Sequence, residues 1–422
     1  MTATLNHFTA TGAPVLYLAF ELGLAEWKLA FSVGLGRPAR LRTIGGSNLD
    51  MLKREIDQAK KKFGLPEEAR VVSCYEAGRD AFWLHRWLAG QGVDNVIVDS
   101  ASIEVNRRQR RRKTDRLDAA KLVTMLIRHH AGEKSWSVVR VPSPEDEDRR
   151  HLHRDLEEMK AERTQHINRI RGLLHGIGAK VAEVNARLPQ ILAELRTVDE
   201  RQVPAGLHER LLREFERFQL VQRQIGALER QRKRVLRDQG GQDYVHKTRK
   251  LMQLRGIGPH SAWVCVLEVF GWRQIKNRRE LASLVGLTPT PYDTGESERE
   301  QGISKAGNRR MRTLLVELGW CWLRYQGDSA LSQWYRRRFG SGSARLKKIG
   351  IVALARKLLI ALWKYLERDE VPQGAEVVDW RTKLAGLGKQ LSDEPLPDEP
   401  LPAEELAEMP CRYDATLLTS AG

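Results

Sequence analysis

Through the first 130 residues, short apolar runs alternate with stretches whose apolar positions fall three and four apart. Val15-Leu16-Tyr17-Leu18-Ala19-Phe20 and Trp27-Lys28-Leu29-Ala30-Phe31-Ser32-Val33 read as strands, and Ala39 to Ile44 as a weaker third. Leu49, Leu52, Ile56 and Ala59 share one helical face, which predicts an amphipathic helix from Asn48 to Phe63. Ala69 to Tyr75 is strand-like again, Asp80 to Gly90 helical, and Asn95 to Val98 strand-like. A last helix begins near Asp115, with Thr114 placed to cap it. Three strands, then helix, strand, helix, strand and helix, predict a mixed sheet with helices packed on it.

The pattern changes after residue 145. Up to residue 238 the chain is rich in Glu, Arg, Leu and Gln and poor in strand formers. Leu211, Phe215, Phe218, Val221, Ile225 and Leu228 follow a three-and-four spacing, which predicts a long helix with an apolar stripe or a coiled coil. Pro189 and Pro204 are expected to break the region into pieces. A structural spacer fits it, and so does a dimerisation or nucleic-acid-binding arm. Gln239-Gly240-Gly241-Gln242-Asp243 reads as a linker, and residues 250 to 368 as a compact helical domain. Beyond about residue 385 the chain turns acidic and proline-rich, a composition expected to stay disordered. The expected organisation is 13–135, 145–238, 248–370 and a tail over 385–422.

Composition narrows the function. The 422 residues carry 71 Lys and Arg against 54 Asp and Glu, a net charge of +17 and a pI of about 9.9. That balance fits a nucleic-acid binder, although ribosomal and membrane-surface proteins share it. No apolar run is long enough to span a bilayer, and Met1 to His7 lacks the basic-then-apolar pattern of a signal peptide, so a cytoplasmic protein is expected. Cys74, Cys265, Cys321 and Cys411 are too widely spaced for a zinc site or a disulfide framework, and the first three read as small core residues. The pairs His129-His130 and His151-x-His153 read as helix-surface residues.

The most informative segment is Lys113-Thr114-Asp115-Arg116-Leu117-Asp118-Ala119, directly after the run Arg107-Arg108-Gln109-Arg110-Arg111-Arg112. Asp115 and Asp118, three apart, share a helical face. Paired carboxylates suit an oxygen-loving cation such as Mg²⁺, though acids at a helix start also simply complement the macrodipole. Arg107, Arg108, Arg110, Arg111, Arg112 and Lys113 would attract phosphate. The element order of the first 130 residues is that of the ribonuclease H-like fold, an α/β architecture that sets acids at strand ends. Glu21 follows the first strand and Glu76 a central one, so with Asp115 and Asp118 four acids could hold two Mg²⁺ ions that clamp a phosphodiester. Further on, Leu254-Arg255-Gly256-Ile257-Gly258-Pro259 resembles the turn of a helix-hairpin-helix element, in which Gly256 and Gly258 let backbone approach a phosphate. A tight helix-helix turn would read the same way. Gly286 to Ser297 looks like a Gly/Pro-punctuated loop bearing hydroxyls. It runs into Ser304-Lys305-Ala306-Gly307-Asn308-Arg309-Arg310, the start of a basic helix.

Taken together, these motifs resemble the DEDD transposases of bacterial insertion sequences, also described as bridge-RNA-guided recombinases. The resemblance spans about residues 15 to 340. It rests on Tyr75-Glu76-Ala77-Gly78, Lys113 to Ala119, Gly256-Ile257-Gly258-Pro259, and Gly286-Leu287-Thr288-Pro289 through Arg309. It implies a RuvC-like N-terminal domain, a helical middle and a mostly helical C-terminal transposase domain. It also implies strand transfer on DNA at a Mg²⁺ site, a hydroxyl nucleophile from the C-terminal domain, a structured guide RNA and a homo-oligomer. Phosphate contacts are expected from Lys305, Asn308, Arg309 and Arg310 as well as from the Arg107–Lys113 run. Two residues depart from the family pattern. Glu21 stands where the family has Asp, and Thr294, before Gly295, stands where it has Ser, with Ser297 as the alternative nucleophile. A Holliday-junction-resolvase-like nuclease and a catalytically impaired nucleic-acid-binding copy are the rival readings.

Overall fold

The chain divides between Ser143 and Pro144 into two packed units. The computed structural model describes residues 13–78, 81–103, 115–238, 240–294 and 297–388. The run Arg107–Lys113, Thr114 and the tail beyond 388 lie outside them.

The first unit is a five-stranded mixed sheet. Its elements are β1 (Val15–Leu22), β2 (Glu26–Ser32), β3 (Arg40–Gly45), α1 (Leu49–Phe63), β4 (Arg70–Glu76), α2 (Ala81–Gly90), β5 (Asp94–Val98) and α3 (Asp115–His130). Strand order is β3-β2-β1-β4-β5, with β1, β4 and β5 parallel and β2 antiparallel to both its neighbours. Side chains alternate across a strand. Leu16, Leu18, Phe20 and Tyr75 therefore pack with Leu52, Ile56, Leu84 and Leu88 of α1 and α2 on one face. Ala19, Ala30, Val72, Cys74 and Val98 pack with Ala119, Leu122, Val123 and Leu126 of α3 on the other. Both faces are covered, which is why β1 and β4 are nearly continuous apolar runs. The edge strand β3 carries Arg40 and Arg42, which pair with the nearly buried Glu55 of α1 at 2.8 and 3.2 Å. Charge on an edge strand discourages pairing with another chain.

Two contacts fix the direction of α3. Tyr17 Oη lies 2.8 Å from His130 Nδ1, and Cys74 Sγ lies 3.9 Å from the Leu122 carbonyl. Tyr17 sits early in β1 and His130 ends α3, so α3 runs opposite to β1 and β4. Its first turn therefore points toward the carboxyl ends of those strands.

The second unit holds α4 (Pro144–Asp148), α5 (His151–His175), α6 (Leu188–Glu194), α7 (Ala205–Arg237), α8 (Asp243–Met252) and α9 (Pro259–Cys265). A π-helical turn, Val266–Phe270, continues α9. Then follow α10 (Arg278–Leu284), β6 (Pro289–Thr294), β7 (Ser297–Ile303), α11 (Arg309–Tyr325), α12 (Ala330–Phe339), α13 (Ala344–Arg368) and α14 (Trp380–Gly388). The apolar stripe of α7 is buried within the chain. Phe215 and Phe218 join Ile170 and Leu174 of α5, while Val221 and Ile225 pack on Leu156. The pairs Lys160–Glu229 and His166–Glu214 show that α5 and α7 run antiparallel. Pro189 and Pro204 open α6 and α7 rather than interrupting them, as proline at a helix start does. A third cluster, built on Trp263, Phe270, Leu315, Trp322 and Leu358, is the core of α8–α14.

Three local expectations are corrected. The segment read as a loop from Gly286 onward contains the β6–β7 hairpin. His153 is not on a helix surface but fully buried. Cys321 is only half-buried, whereas Cys74 and Cys265 are core residues as expected.

Candidate active site and nucleic-acid interface

The parallel register of β1 and β4 pairs Ala19 with Cys74 and Phe20 with Tyr75. Glu21 and Glu76 come next on the two strands, at one height on neighbours about 4.8 Å apart. By alternation both share the face of Ala19 and Cys74, the face covered by α3. The first turn of α3, bearing Asp115 and Asp118, points toward the same edge. Three elements thus bring the four acids to one end of the sheet. Glu21 and Asp118 are partly exposed and Glu76 is exposed. Neither Glu76 nor Asp118 has a salt-bridge partner among the described residues. The Glu76 and Asp118 carboxylates at this edge, offering only oxygen donors, suit a hard divalent cation. No three His, Cys, Asp or Glu side chains among the described residues are grouped closely enough to hold an ion, and the Asp115 side chain is not among those described. Asp99 was passed over in the sequence. It directly follows β5, whose Val98 pairs with Glu76. An acid straight after a strand was the available signal.

In the second unit, Thr294 ends β6 and Ser297 begins β7, and the two are register partners at the closed end of the hairpin. Gly295 and Glu296 between them, and the side chains of both hydroxyl residues, lie outside the described residues. The open end of the hairpin is tightly built. A Cβ on Gly286 would lie 1.9 Å from the Ala306 carbonyl oxygen, and one on Gly307 2.3 Å from that of Leu284. Both glycines have positive φ, +67° and +79°. Arg312 Nη1 donates to the Val285 and Ala306 carbonyls at 3.0 and 3.2 Å, clamping the two chain segments together.

The basic start of α11 divides into two kinds of residue. Lys305 is exposed at φ +56°, a left-handed conformation costly for a side chain, and Arg309 is exposed as well. Asn308 instead caps α11, its Oδ1 accepting from the Met311 N–H at 3.1 Å. Its Nδ2 donates to Glu268 Oε2 at 2.9 Å. Arg310 pairs with Glu157 and lies 3.6 Å from Glu268. Glu268, on the π-helical turn, is buried and also accepts from His153 Nε2 at 2.9 Å and from Arg154 at 3.2 Å. Burial alone would raise its pKa, but the His153 hydrogen bond and the Arg154 guanidinium outweigh it and hold the carboxyl well below the usual range.

The α8–α9 turn has the geometry of a helix, a hairpin and a helix. Gly256 takes φ +88° with its α-carbon against Cys321 and Tyr325 of α11. Gly258 precedes α9 with open space on its Cβ side. Lys383 of α14 donates to the hairpin carbonyls of Leu254 and Ile257 at 2.7 and 3.0 Å. Sequence reasoning also missed Arg336, Arg337, Arg338, Arg345, Lys347 and Lys348, all exposed on α12 and α13. The signal was there, since no acid stands between Asp328 and Glu367.

Comparison with known proteins gives these features a class. A family profile described as the transposase IS116/IS110/IS902 family matches residues 248–336. The y4rJ protein of Sinorhizobium fredii, named as a transposase, is 38% identical over 376 residues, covering 85% of this chain and 94% of its own. A Pseudomonas aeruginosa protein named as a family 20 transposase is 30% identical over 57% of this chain and 69% of its own. The transposase of insertion sequence element IS1111A from Coxiella burnetii is 27% identical over 71% and 79%. The class is that of transposases, enzymes that cut and rejoin DNA. Within it, the chain belongs to the IS116/IS110/IS902 family of insertion-sequence transposases. No helix among the described residues is long and apolar enough to cross a membrane.

Proposed function

We propose that this transposase moves DNA by Mg²⁺-assisted phosphodiester transfer on a ribonuclease H-like acid edge. The observation that carries the reading is the shared height of Glu21 and Glu76 on parallel strands, at the end toward which Asp115 and Asp118 open α3. These four residues would hold the metal, on two ions. Bound Mg²⁺ neutralises charge on the phosphate oxygens. The strand order β3-β2-β1-β4-β5 supports the ribonuclease H-like assignment. Thr294 is the proposed nucleophile. Its hydroxyl oxygen forms an ester to phosphorus while the bond from phosphorus to the leaving sugar oxygen breaks. The threonine proton goes to solvent, and the freed sugar oxygen is left as a hydroxyl. Lys305, Arg309, Gly258 and the Arg107–Lys113 run would hold phosphates. A structured RNA encoded by the element would choose the sites, and the active form would be a homo-oligomer.

The test is a suicide DNA substrate incubated with Mg²⁺, with adducts mapped by mass spectrometry. The expected result is a covalent link at Thr294 that disappears in Asp115→Asn while DNA binding persists. Attachment at Ser297 would move the assignment to its register partner. Cleavage with no adduct at either hydroxyl would make water the nucleophile and the resolvase-like reading correct. Wild-type cleavage by Asp115→Asn would refute the acid edge.

A further inference from the structure

The basic stretch on α12 and α13 differs from an ordinary phosphate-binding surface. Among the described residues none of Arg336, Arg337, Arg338, Arg345, Lys347 and Lys348 has a salt-bridge partner. Large apolar side chains stand among them, Leu346 at 39% and Ile349 at 53% exposure. Ala344, Arg345, Lys348, Ile349 and Val352 line an open groove of about 500 Å³. Gly350 sets the arrangement, because a Cβ there would lie 2.5 Å from the Phe339 ring and 2.9 Å from the Tyr335 ring. The resulting close packing of α13 on α12 brings the two cationic clusters to either side of the connecting turn. A nucleic-acid backbone would use the cations and leave Leu346 and Ile349 in water. An acidic segment with spaced apolar side chains would use both.

The chain carries such a segment. Asp393-Glu394-Pro395-Leu396-Pro397 is repeated at once as Asp398-Glu399-Pro400-Leu401-Pro402, and Leu406 continues the five-residue spacing after Glu404 and Glu405. Residues 389–422 hold eight carboxylates against Lys389 and Arg412. The charge is complementary, and the reach is sufficient. Tyr365 Oη bonds Gln253 Oε1 at 2.7 Å and Lys250 Nζ the Leu366 carbonyl at 3.2 Å, so the α8–α9 turn lies at the far end of α13. Lys383 holds α14 to the same turn. From Leu366 back to Ile349 is about 25 Å at ~1.5 Å per helical residue. An extended chain spans at most ~3.3–3.6 Å per residue, so about eight residues beyond Gly388 are enough to cover it. That count ends at Leu396.

We infer that the acidic Leu-Pro tail of this chain, residues 393–406, docks on the α12–α13 groove and competes there with nucleic acid. The competition rests on the nucleic-acid-binding function, whereas the docking does not. Hydrogen exchange read by mass spectrometry tests the docking directly. Three proteins are compared: the full chain, a chain ending at Gly388, and the full chain with Leu396, Leu401 and Leu406 all changed to Ser. Amides of residues 344–352 are expected to exchange at least about fivefold faster in both altered proteins, reflecting loss of local protection. Identical exchange in the full and shortened chains overturns the proposal. Retained protection in the triple-Ser chain also overturns it, since charge alone would then suffice. Protection that grows with protein concentration would assign the groove to a second copy instead. For competition, the shortened chain should bind duplex DNA about tenfold tighter near 150 mM salt, with a log–log salt slope steeper by roughly three. Unchanged affinity and slope overturn the competition.

Discussion

Replacing Glu268 by glutamine removes one charge and almost no volume, which makes it a sharp probe of the second unit. The carboxylate is 2% exposed as a side chain and accepts from His153, Arg154 and Asn308 on two other elements. His153 has 0% side-chain exposure, and its Nδ1 has no partner of its own. Glutamine keeps one acceptor oxygen and turns an amide N–H₂ toward groups that need an acceptor. Breaking a buried pair this way costs about 3–5 kcal/mol, and the partial exposure of Arg154 places the expected loss near the lower figure. The pH dependence follows from the depressed pKa of Glu268. A carboxyl whose folded pKa lies below its unfolded value stabilises the fold fully above the unfolded value, about 4.3, and loses that contribution as pH falls toward the folded value. The gap between wild type and Glu268→Gln should therefore be constant from pH 6 to 8. Below about pH 4.3 it should narrow by roughly 1.4 kcal/mol per pH unit. Urea unfolding followed by tryptophan fluorescence measures it. A loss under about 0.5 kcal/mol at pH 7 would show that Glu268 is not the anchor described, as would a gap that fails to narrow in acid.

Three further outcomes are expected. Gly286→Ala should destabilise the second unit by about 3 kcal/mol or more, because its φ of +67° and the 1.9 Å approach to Ala306 both exclude a Cβ. A melting temperature equal to wild type would contradict this. Changing Arg107, Arg108 and Arg110 to Ala should weaken binding to all duplexes alike and reduce the salt slope by about three, as phosphate contacts do. A change of sequence preference alone would speak for base readout. Glu21→Asp, although it restores the residue the family pattern carries, should lower DNA cleavage rather than raise it, measured at saturating Mg²⁺.

How much of this was legible in the sequence depends on where each signal comes from. The sheet was legible because β1 and β4, covered on both faces, are short and nearly continuous apolar runs, Val15–Phe20 and Val71–Tyr75. The α7 helix was legible through the Leu211–Leu228 stripe, but its partner was not, because the complementary residues of α5 lie some 50 positions away. The β6–β7 hairpin was missed for a physical reason. A two-stranded ribbon buries little, so Ser297-Glu298-Arg299-Glu300 carries no apolar alternation, and Pro289 and Pro291 signal a loop. His153 looked like a surface histidine because Glu268, which accounts for its burial, stands 115 residues later. Asn308 was placed among phosphate ligands by its basic surroundings, while the structure commits both ends of its side chain to the cap and to Glu268. Charge runs were easier to see than to assign. The Arg336–Lys348 cluster is a local excess that a whole-chain charge of +17, diluted by the acidic tail, does not locate.

Register also changes how the departure at position 21 should be read. Taken alone, a glutamate where the family pattern has aspartate suggests damage. The parallel pairing sets Glu21 level with Glu76, so the sheet offers two arms of equal length from neighbouring strands at one height. Shortening one arm withdraws its carboxylate by about one carbon–carbon bond, ~1.5 Å. Metal–ligand distances tolerate only about 0.2 Å, so the proposed metal site, if built on that pair, could not absorb the withdrawal without moving the strand. The strand is not free to move. Glu21 lies inside the β1–β2 ladder opposite Lys28, and Phe20 beside it is fully buried. The physical economy of the edge therefore favours Glu21 as a working residue of this chain, matched to Glu76, over Glu21 as a defect.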